Sequence, residues 1–340
     1  MKICENFDLD NMEDASLRHQ TRSEIPLPGY QNSMLNEILA RRKVLVNFMS
    51  SVSQSGSGEK MDKHQKISII GPGVMGEAIV SRLLSNQLIE PENIIAAGPR
   101  QDRLDELVDR YQIKTTLNNT EAVQQADVVI LSIKPQKLSQ VFEDLQNQLP
   151  QNALVLSILA GTPINVLIAG LKHSSVVRAM PNTPAQVGEG MTVWMQSQQT
   201  SEAQHALADK ILSALGKAIF VEEETYIDMA TAVSGTGPAY VFLFLESMID
   251  AGVHLGLPRR IAEEMVVQTI KGSIDYYAQS SSHPARLRNQ VTSPGGTSAT
   301  ALYYLEKMGV RTAISRAIWA AFTRSQELGK GQMHQDPEKI

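Results

Sequence analysis

The sequence predicts an α/β N-terminal domain built on a parallel sheet, joined to an all-helical C-terminal domain. Three observations predict it. Between residues 66 and 223, short β-branched runs alternate with helical stretches, the pattern of βαβ units. A G-x-G-x-x-G segment, Gly71 to Gly76, directly follows the first of these runs. Beyond residue 224 the β-rich runs stop and only helical periods remain.

The elements follow in order. KISII (66–70) is a short apolar run ended by glycine, hence a strand. A helix is expected from about Met75 to Asn86, with Ala78, Ile79, Leu83 and Leu84 on one side. NIIAAG (93–98) reads as a strand, and QDRLDELVDRYQ (101–112) as a charged helix. DVVILSI (127–133) is a near-continuous β-branched run, which marks a strand buried on both faces. LVLSIL (154–159) and SSVVRAM (174–180) repeat the theme, with helical segments between them. The alternation ends near KAIFVEE (217–223).

Helices are then expected over about 225–233, 238–255, 258–279, 284–291, 297–307 and 310–328. Gly235, Gly237, Gly256, Pro258, Pro284, Pro294 and Gly309 punctuate them. Several, such as YVFLFLESMIDAGVHLGL, are apolar on most sides. A lone bundle of about 100 residues seldom buries that much surface, so a homodimer interface is expected.

Composition bounds the function. A chain of 340 residues suits two domains with an appendage. Its 31 Lys and Arg against 36 Asp and Glu leave a net charge of −5, so no nucleic-acid surface is expected. The single cysteine, Cys4, excludes a disulfide framework and a Cys-rich metal site, and fits a reducing compartment. The histidines are scattered, with no pair at metal-ligand spacing, so no metal is expected. No run approaches the ~18 uncharged apolar residues of a membrane helix. The N-terminus lacks the order of a signal peptide and is too acidic for a transit peptide. The expectation is a cytoplasmic protein without a membrane partner.

Residues 34–49 place Leu35, Ile38, Leu39, Val46 and Met49 near helical spacing, and 50–60 read as a Ser/Gly-rich linker. Met61 then opens a short charged lead into the first strand. The first 60 residues therefore read as an extension, or as the product of a misplaced start codon.

The loop Gly71, Pro72, Gly73, Val74, Met75, Gly76 carries chemistry. The first glycine permits a tight turn, the second lets backbone approach a pyrophosphate, and the third lets helix and strand pack closely. The helix N-terminus favours the anion. This is the dinucleotide cradle of a Rossmann-type domain. An NAD site carries an acid about 20 residues on, for the ribose 2′-hydroxyl. Here Ala97-Gly98-Pro99-Arg100-Gln101 offers none before Asp102. Arg100 is placed for a 2′-phosphate; Arg103 is a second candidate or a solvated helix charge. NADPH is the expected cofactor and NADH the alternative.

A second loop, Val291-Thr292-Ser293-Pro294-Gly295-Gly296-Thr297-Ser298, precedes the helix ATALYYLE. Hydroxyls and backbone N–H groups gather at a helix N-terminus, which suits a small carboxylate or forms an ordinary capped helix.

Three stretches, RAMPNTPAQVGEGMT (178–192), VSGTGPAYVF (233–242) and VTSPGGTSATALYYLEKMGVR (291–311), resemble the pyrroline-5-carboxylate reductase family. With the glycine loop and Ile133-Lys134-Pro135, the likeness spans about residues 66–328 and does not reach the first 60. The resemblance implies an NAD(P)-binding Rossmann domain at 65–222 and a helical dimerisation domain at 223–329, between an extension and linker at 1–64 and a polar tail at 330–340. It implies a homodimer, with rings of dimers in some members. It implies hydride transfer to the C=N carbon of 1-pyrroline-5-carboxylate, giving L-proline, the last step of proline synthesis.

On the family pattern, Gly71, Gly73, Gly76, Asn119, Ser132, Ile133 and Lys134 contact the cofactor. Ala160 and Gly161 lie near the nicotinamide, and Asn182, Thr183 and Pro184 match an NTP turn. Ser293, Gly296, Thr297 and Ser298 match the positions that hold the carboxylate and ring nitrogen, and Gly295 adds its amide to that cradle. Ser298 is the catalytic candidate, and the partner subunit is implied to supply its loop. Many members carry Thr at that hydroxyl, and Ser281-Ser282 replaces an acidic segment. Lys134 reads first as a cofactor neighbour or the end of a strand, with the role of proton donor as the alternative. Arg178 reads as structural beneath the NTP turn, and Tyr303 and Tyr304 as packing residues. Two further readings are a reductase of a related cyclic imine acid and a non-catalytic NADP-binding regulatory protein.

Overall fold

The structure, a computed structural model, describes residues 64–329; the expected helix at 34–49, the linker, Met61 itself and the 330–340 tail lie outside the described residues. Eight strands form one sheet: β1 (Ile67–Ile70), β2 (Ile94–Ala97), β3 (Lys114–Thr116), β4 (Val128–Leu131), β5 (Leu154–Ser157), β6 (Val176–Met180), β7 (Gly190–Gln196) and β8 (Gly216–Phe220). Their spatial order is β3-β2-β1-β4-β5-β6-β7-β8. Pairing is parallel from β3 through β6, so the first six strands have the order of a Rossmann domain. In register, Ile67 faces Val128 and Ile70 faces Leu131.

The last two strands depart from the expected parallel sheet. β7 runs antiparallel to β6, with Met180 opposite Val193. A short 3₁₀ turn, Thr183–Val187, joins the two, and a link that short reverses the chain. β8 returns parallel to β7, by way of a helix.

Helices cover both faces, because the strands alternate their apolar side chains between them. Ile67, Ile69, Val128 and Ile130 form one core with the helix α1 (Val74–Ser85), which inserts Ile79, Val80 and Leu83. Leu107 of α2 (Gln101–Tyr111) joins the same core. On the other face Ile70, Val129 and Leu131 meet α3 (Asn119–Val123), α4 (Leu138–Leu145) and α5 (Ile164–Leu171). The helix α6 (Glu202–Ser213) packs Ile211 and Leu212 on the α1 side.

After the sheet come α7 (Thr225–Ala230), a π turn (Thr231–Gly235), α8 (Gly237–His254), α9 (Arg259–Gln279), α10 (Pro284–Gln290), α11 (Thr297–Lys307) and α12 (Val310–Gly329). Each of the six helical segments read from the sequence has its counterpart here. Their own buried core is small: Ile249, Ala262 and Val266, flanked by Leu245, Met248 and Ile270. Phe242, Leu243, Phe244 and Trp319 are more than half exposed. Tyr303 and Tyr304 are exposed as well, so they do not pack inside a single chain.

One helical run bears on the membrane expectation by its length and composition. The continuous helical run Thr225–His254 is long and apolar enough to cross a membrane, with an 18-residue window of mean hydropathy 1.2 that is 11% buried. Its scattered Gly, Ser and Thr residues hide this run when uncharged apolar residues alone are counted.

Candidate active site

The sheet order reverses between β1 and β4, and the crevice beyond the carboxyl ends of those strands is where open α/β sheets bind ligands. The glycine loop lies there. Gly71 has a φ of +82°, and a Cβ on it would stand 2.4 Å from Cγ2 of Ile133. A Cβ on Gly76 would stand 2.6 Å from the Ser132 hydroxyl oxygen. At Gly73 the nearest atom to such a Cβ is Gly71 O at 4.0 Å, so the outer rim is open. The glycines therefore serve different needs: two permit close packing and one leaves a bare approach.

The remaining loop residues divide by direction. Pro72 is buried against Gly98, and Met75 packs on the core beneath α1. Gly73 and Val74 are exposed. Gly73 is the N-cap of α1 and supplies no side-chain cap. The first helical bond is Glu77 N to Gly73 O at 2.8 Å, so the amides of Val74, Met75 and Gly76 precede the helical ladder. This end fits the pyrophosphate of a dinucleotide.

Ser132 and Ile133, expected as cofactor contacts, turn their side chains to the loop. Ser132 Oγ donates to Gly71 O at 2.7 Å. Lys134 is exposed at the start of a 3₁₀ turn, Pro135–Lys137, at the same sheet edge. Asn119 opens α3, where its amide donates to Asp144 Oδ2 at 2.8 Å.

The two arginines separate cleanly. Arg100 caps the start of α2 with its side chain 67% exposed, 3.9 Å from Asp102. Arg103 is engaged: it pairs with Glu77 and Glu106, and its Nε donates to Pro72 O at 3.3 Å. It is neither a free phosphate ligand nor a solvated charge. Burial pushes the Glu77 carboxyl up, but hydrogen bonds from Arg103 and Tyr111 and the charges of Arg103 and Arg110 outweigh it, holding the group below its ordinary value. Glu77 raises Arg103 in turn, chiefly by their hydrogen bond.

The NTP turn meets the helical part. Asn182 Nδ2 donates to Ser234 O at 3.0 Å, and its Oδ1 accepts from Met191 N at 2.8 Å. Ser234 belongs to the π turn, closed by Thr236 N to Thr231 O at 2.8 Å. Such a turn displaces carbonyls from the α-helical ladder. Side chains collect them: Asn182 takes Ser234 O, and Tyr240 takes Ala232 O at 3.2 Å. Gly235 lies against Met180, so this turn sits at the carboxyl end of β6.

Ala160 and Gly161 follow β5 at the same edge. Gly161 has a φ of +66°, and a Cβ there would stand 2.6 Å from Cβ of Leu328 in α12. Beneath them lies a cluster of which only Arg178 stands out in the sequence. Arg178 of β6, 1% exposed, pairs with Glu224 and Asp228, each at 2.7 Å. The four-residue spacing of those two acids, which puts both on one helix face, was its sequence signal.

The second glycine loop is exposed at Ser293, Pro294, Gly295 and Thr297, and partly buried at Gly296 and Ser298. Gly295 has a φ of +71°. Gly296 caps α11 without a side-chain bond, and Thr300 N to Gly296 O at 3.2 Å is the first helical bond. The amides of Thr297, Ser298 and Ala299 therefore precede that ladder, as at the first loop. Among the described residues, no hydrogen bond or ion pair joins this loop to the sheet. His283 caps α10, accepting from Ala285 N at 3.2 Å. No group of metal-ligating side chains occurs among the described residues.

Comparison with known proteins gives the following. Residues 224–328 match the family described as pyrroline-5-carboxylate reductase dimerisation. Residues 66–161 match that described as NADP oxidoreductase coenzyme F420-dependent. The chain is 43% identical over 265 residues to a pyrroline-5-carboxylate reductase of Synechocystis sp., covering 78% of this chain and 98% of that one. It is 38% identical over 272 residues to the Corynebacterium melassecola protein of that name, covering 78% and 98%. A crystal structure of Plasmodium falciparum pyrroline carboxylate reductase with NADP bound superposes with a TM-score of 0.73 at 31% identity, covering 79% of this chain and 100% of that one.

Proposed function

The chain belongs to the pyrroline-5-carboxylate reductase family, and we propose that it uses NADPH in preference to NADH and completes each active site with a loop from a second copy. It is an NAD(P)H-dependent oxidoreductase that reduces the C=N bond of 1-pyrroline-5-carboxylate to L-proline, and it acts as a homo-oligomer on a small molecule. One observation carries the geometric side of this reading. The chain presents two glycine-led helix N-termini without side-chain caps, at Gly73 and Gly296, so it offers two anion cradles for two anionic ligands.

The residues at the first cradle fit the cofactor. The amides of Val74, Met75 and Gly76 would hold the pyrophosphate, and Arg100 the 2′-phosphate through paired donors. Lys134, Ala160 and Gly161 border the crevice further along the sheet edge. When bound, the reduced nicotinamide supplies a hydride to the imine carbon.

The rest is orientation. The amides of Gly295, Thr297 and Ser298, with the Ser293 hydroxyl, would hold the substrate carboxylate and fix one end of the ring, while the Gly296 amide closes the turn on Ser293 O at 3.0 Å. Ser298 Oγ would meet the ring nitrogen and steady its proton, since an iminium accepts hydride more readily than an imine. Thr at this position would be stiffer at χ1; serine keeps the hydroxyl and loses that restraint. The exposure of the second loop and of Phe242, Leu243 and Phe244 supports a site shared across a dimer. We extend the proposal to a sheet-bearing domain at 65–222 and a helical domain at 223–329, to assembly of dimers into rings, and to a cytoplasmic enzyme without a membrane partner. The apolar run at Thr225–His254 is read as dimer interface.

The test is one assay of purified protein with 1-pyrroline-5-carboxylate, following NADPH and NADH oxidation in parallel. Turnover with NADPH preference is expected. Tight NADPH binding without turnover would favour the regulatory reading, and turnover only of another cyclic imine acid would reassign the substrate.

A further inference from the structure

We propose that Arg178 is a positioning residue for the loop that follows β5, acting through Glu224 and Asp228 without touching a ligand. The inference rests on the reductase reading, because that loop, Ala160 and Gly161, borders the crevice where hydride transfer is placed. Arg178 is fully enclosed on β6, while Glu224 and Asp228 begin the helical part of the chain. Each acid does a second job. Glu224 Oε1 accepts from Arg178 Nη1 at 2.7 Å and from the backbone N of Ile164, the first residue of α5, at 2.7 Å. It therefore anchors the exit of the loop, with a negative charge at a helix N-terminus.

Asp228 Oδ1 accepts from Arg178 Nη2 at 2.7 Å and from Ser325 Oγ at 3.1 Å. Ser325 lies in the last turns of α12, the same turns that close on Gly161. Its carbonyl oxygen stands 3.0 Å from where a Gly161 Cβ would be, and Leu328 Cβ stands 2.6 Å from it. One guanidinium thus fixes the loop from two sides: its exit through Glu224 and its roof through Asp228 and Ser325. A buried charge that loses one of its partners is strongly destabilised, so the cluster favours a single arrangement. A loop held in one place keeps the nicotinamide end of the crevice in one shape, and displacement by about 1 Å can cost a rate of order 100-fold.

The experiment uses the full chain carrying Asp228→Asn or Ser325→Ala. Amide exchange is read over residues 158–164 in the free protein, NADPH affinity by fluorescence, and kcat with the primary isotope effect of 4-deuterated NADPH. Exchange over 158–164 should speed up in both variants, NADPH affinity should stay within about twofold, and kcat should fall about tenfold in Asp228→Asn and less in Ser325→Ala. The isotope effect should rise as hydride transfer becomes limiting. Unchanged exchange and isotope effect in folded variants would overturn the proposal even if Tm fell, since a merely structural cluster predicts that result. If Asp228→Asn does not fold, Ser325→Ala decides, because it removes only the outermost bond. A wild-type chain that binds NADPH but does not turn over the pyrroline overturns the reductase reading instead, and the exchange comparison then judges the cluster alone.

Discussion

The Ser132 hydroxyl donates to Gly71 O at 2.7 Å, so the end of β4 pins the first glycine loop from beneath. The same oxygen occupies the space that a Cβ on Gly76 would need, 2.6 Å away. The two positions are therefore coupled. Ser132→Ala removes a hydrogen bond worth ~1 kcal/mol and should weaken NADPH binding about fivefold. Gly76→Ala should weaken it more, because its methyl meets both that hydroxyl and Gly71 O at 3.2 Å. In the double variant the two losses should fall short of additivity, since removing the hydroxyl makes room for the methyl. Full additivity in the titrations would uncouple the pair.

Arg100 is the exposed cation at the end of β2, while Arg103 is held by Glu77 and Glu106. Arg100→Ala should therefore raise the KM for NADPH about tenfold, the size of a lost charge-assisted hydrogen bond of ~1.5–3 kcal/mol, and barely change that for NADH. Arg103→Ala should weaken both cofactors, because it leaves Pro72 O without its donor and Glu77 with fewer partners. Parallel initial-rate measurements with the two cofactors separate these patterns.

How much was legible in the sequence depended on length and apolarity. β1, β4 and β5 are short apolar runs buried on both faces, and each stands out at once. β3, Lys-Thr-Thr, is a three-residue edge strand with no apolar residue, and nothing in its composition distinguishes it from a loop. β7 buries alternate residues, Gly190, Thr192 and Trp194, yet its sequence ran on from the NTP turn and gave no separate signal. At the site, glycines spoke clearly because backbone geometry demands them. Side-chain direction did not: that Ser132 faces the loop, or that Asn182 binds Ser234, depends on strands and turns meeting in three dimensions. The Arg178 cluster links β6 to the end of α12 through Asp228, segments far apart in the chain, and only the Glu224–Asp228 spacing within it is a local pattern.

The exposed second loop leads to a prediction about shared sites. If Ser298 acts in the crevice of the other subunit, Ser298→Ala should lower kcat/KM about 10–100-fold in a homodimer, as for a lost hydrogen bond of ~1.5–3 kcal/mol. Subunits carrying Ser298→Ala and subunits carrying Gly76→Ala would each be impaired alone. Mixed after mild dissociation, half of the dimers would be heterodimers with one intact site each, restoring about a quarter of full activity. No recovery in mixtures shown to exchange subunits would place both residues in the same chain's site. Phe244→Glu, in an exposed apolar row of α8, should give monomers without activity, checked by light scattering alongside the assay.

Stability against pH should carry two opposite signatures. Glu77 is held below its ordinary value, so the folded state binds that proton less readily than the unfolded chain. Its contribution is present above the unfolded glutamate range and is lost as pH falls through the lowered folded value. Glu77→Gln should reduce Tm near neutrality and leave a shallower acid limb. Asp209 on α6 is the reverse case: burial raises its carboxyl, and the charge of His205 opposes this only in part. A raised acid favours the folded state when protonated, so its contribution falls as pH rises from the unfolded aspartate range through the raised folded value. Asp209→Asn keeps the shape without the buried charge and should raise Tm at pH 7 while changing little in acid. Denaturation curves of the two variants across pH should therefore diverge from the parent in opposite directions at neutrality and converge on it at low pH. A drop in Tm at pH 7 for Asp209→Asn would mean that the charge itself is held by the fold.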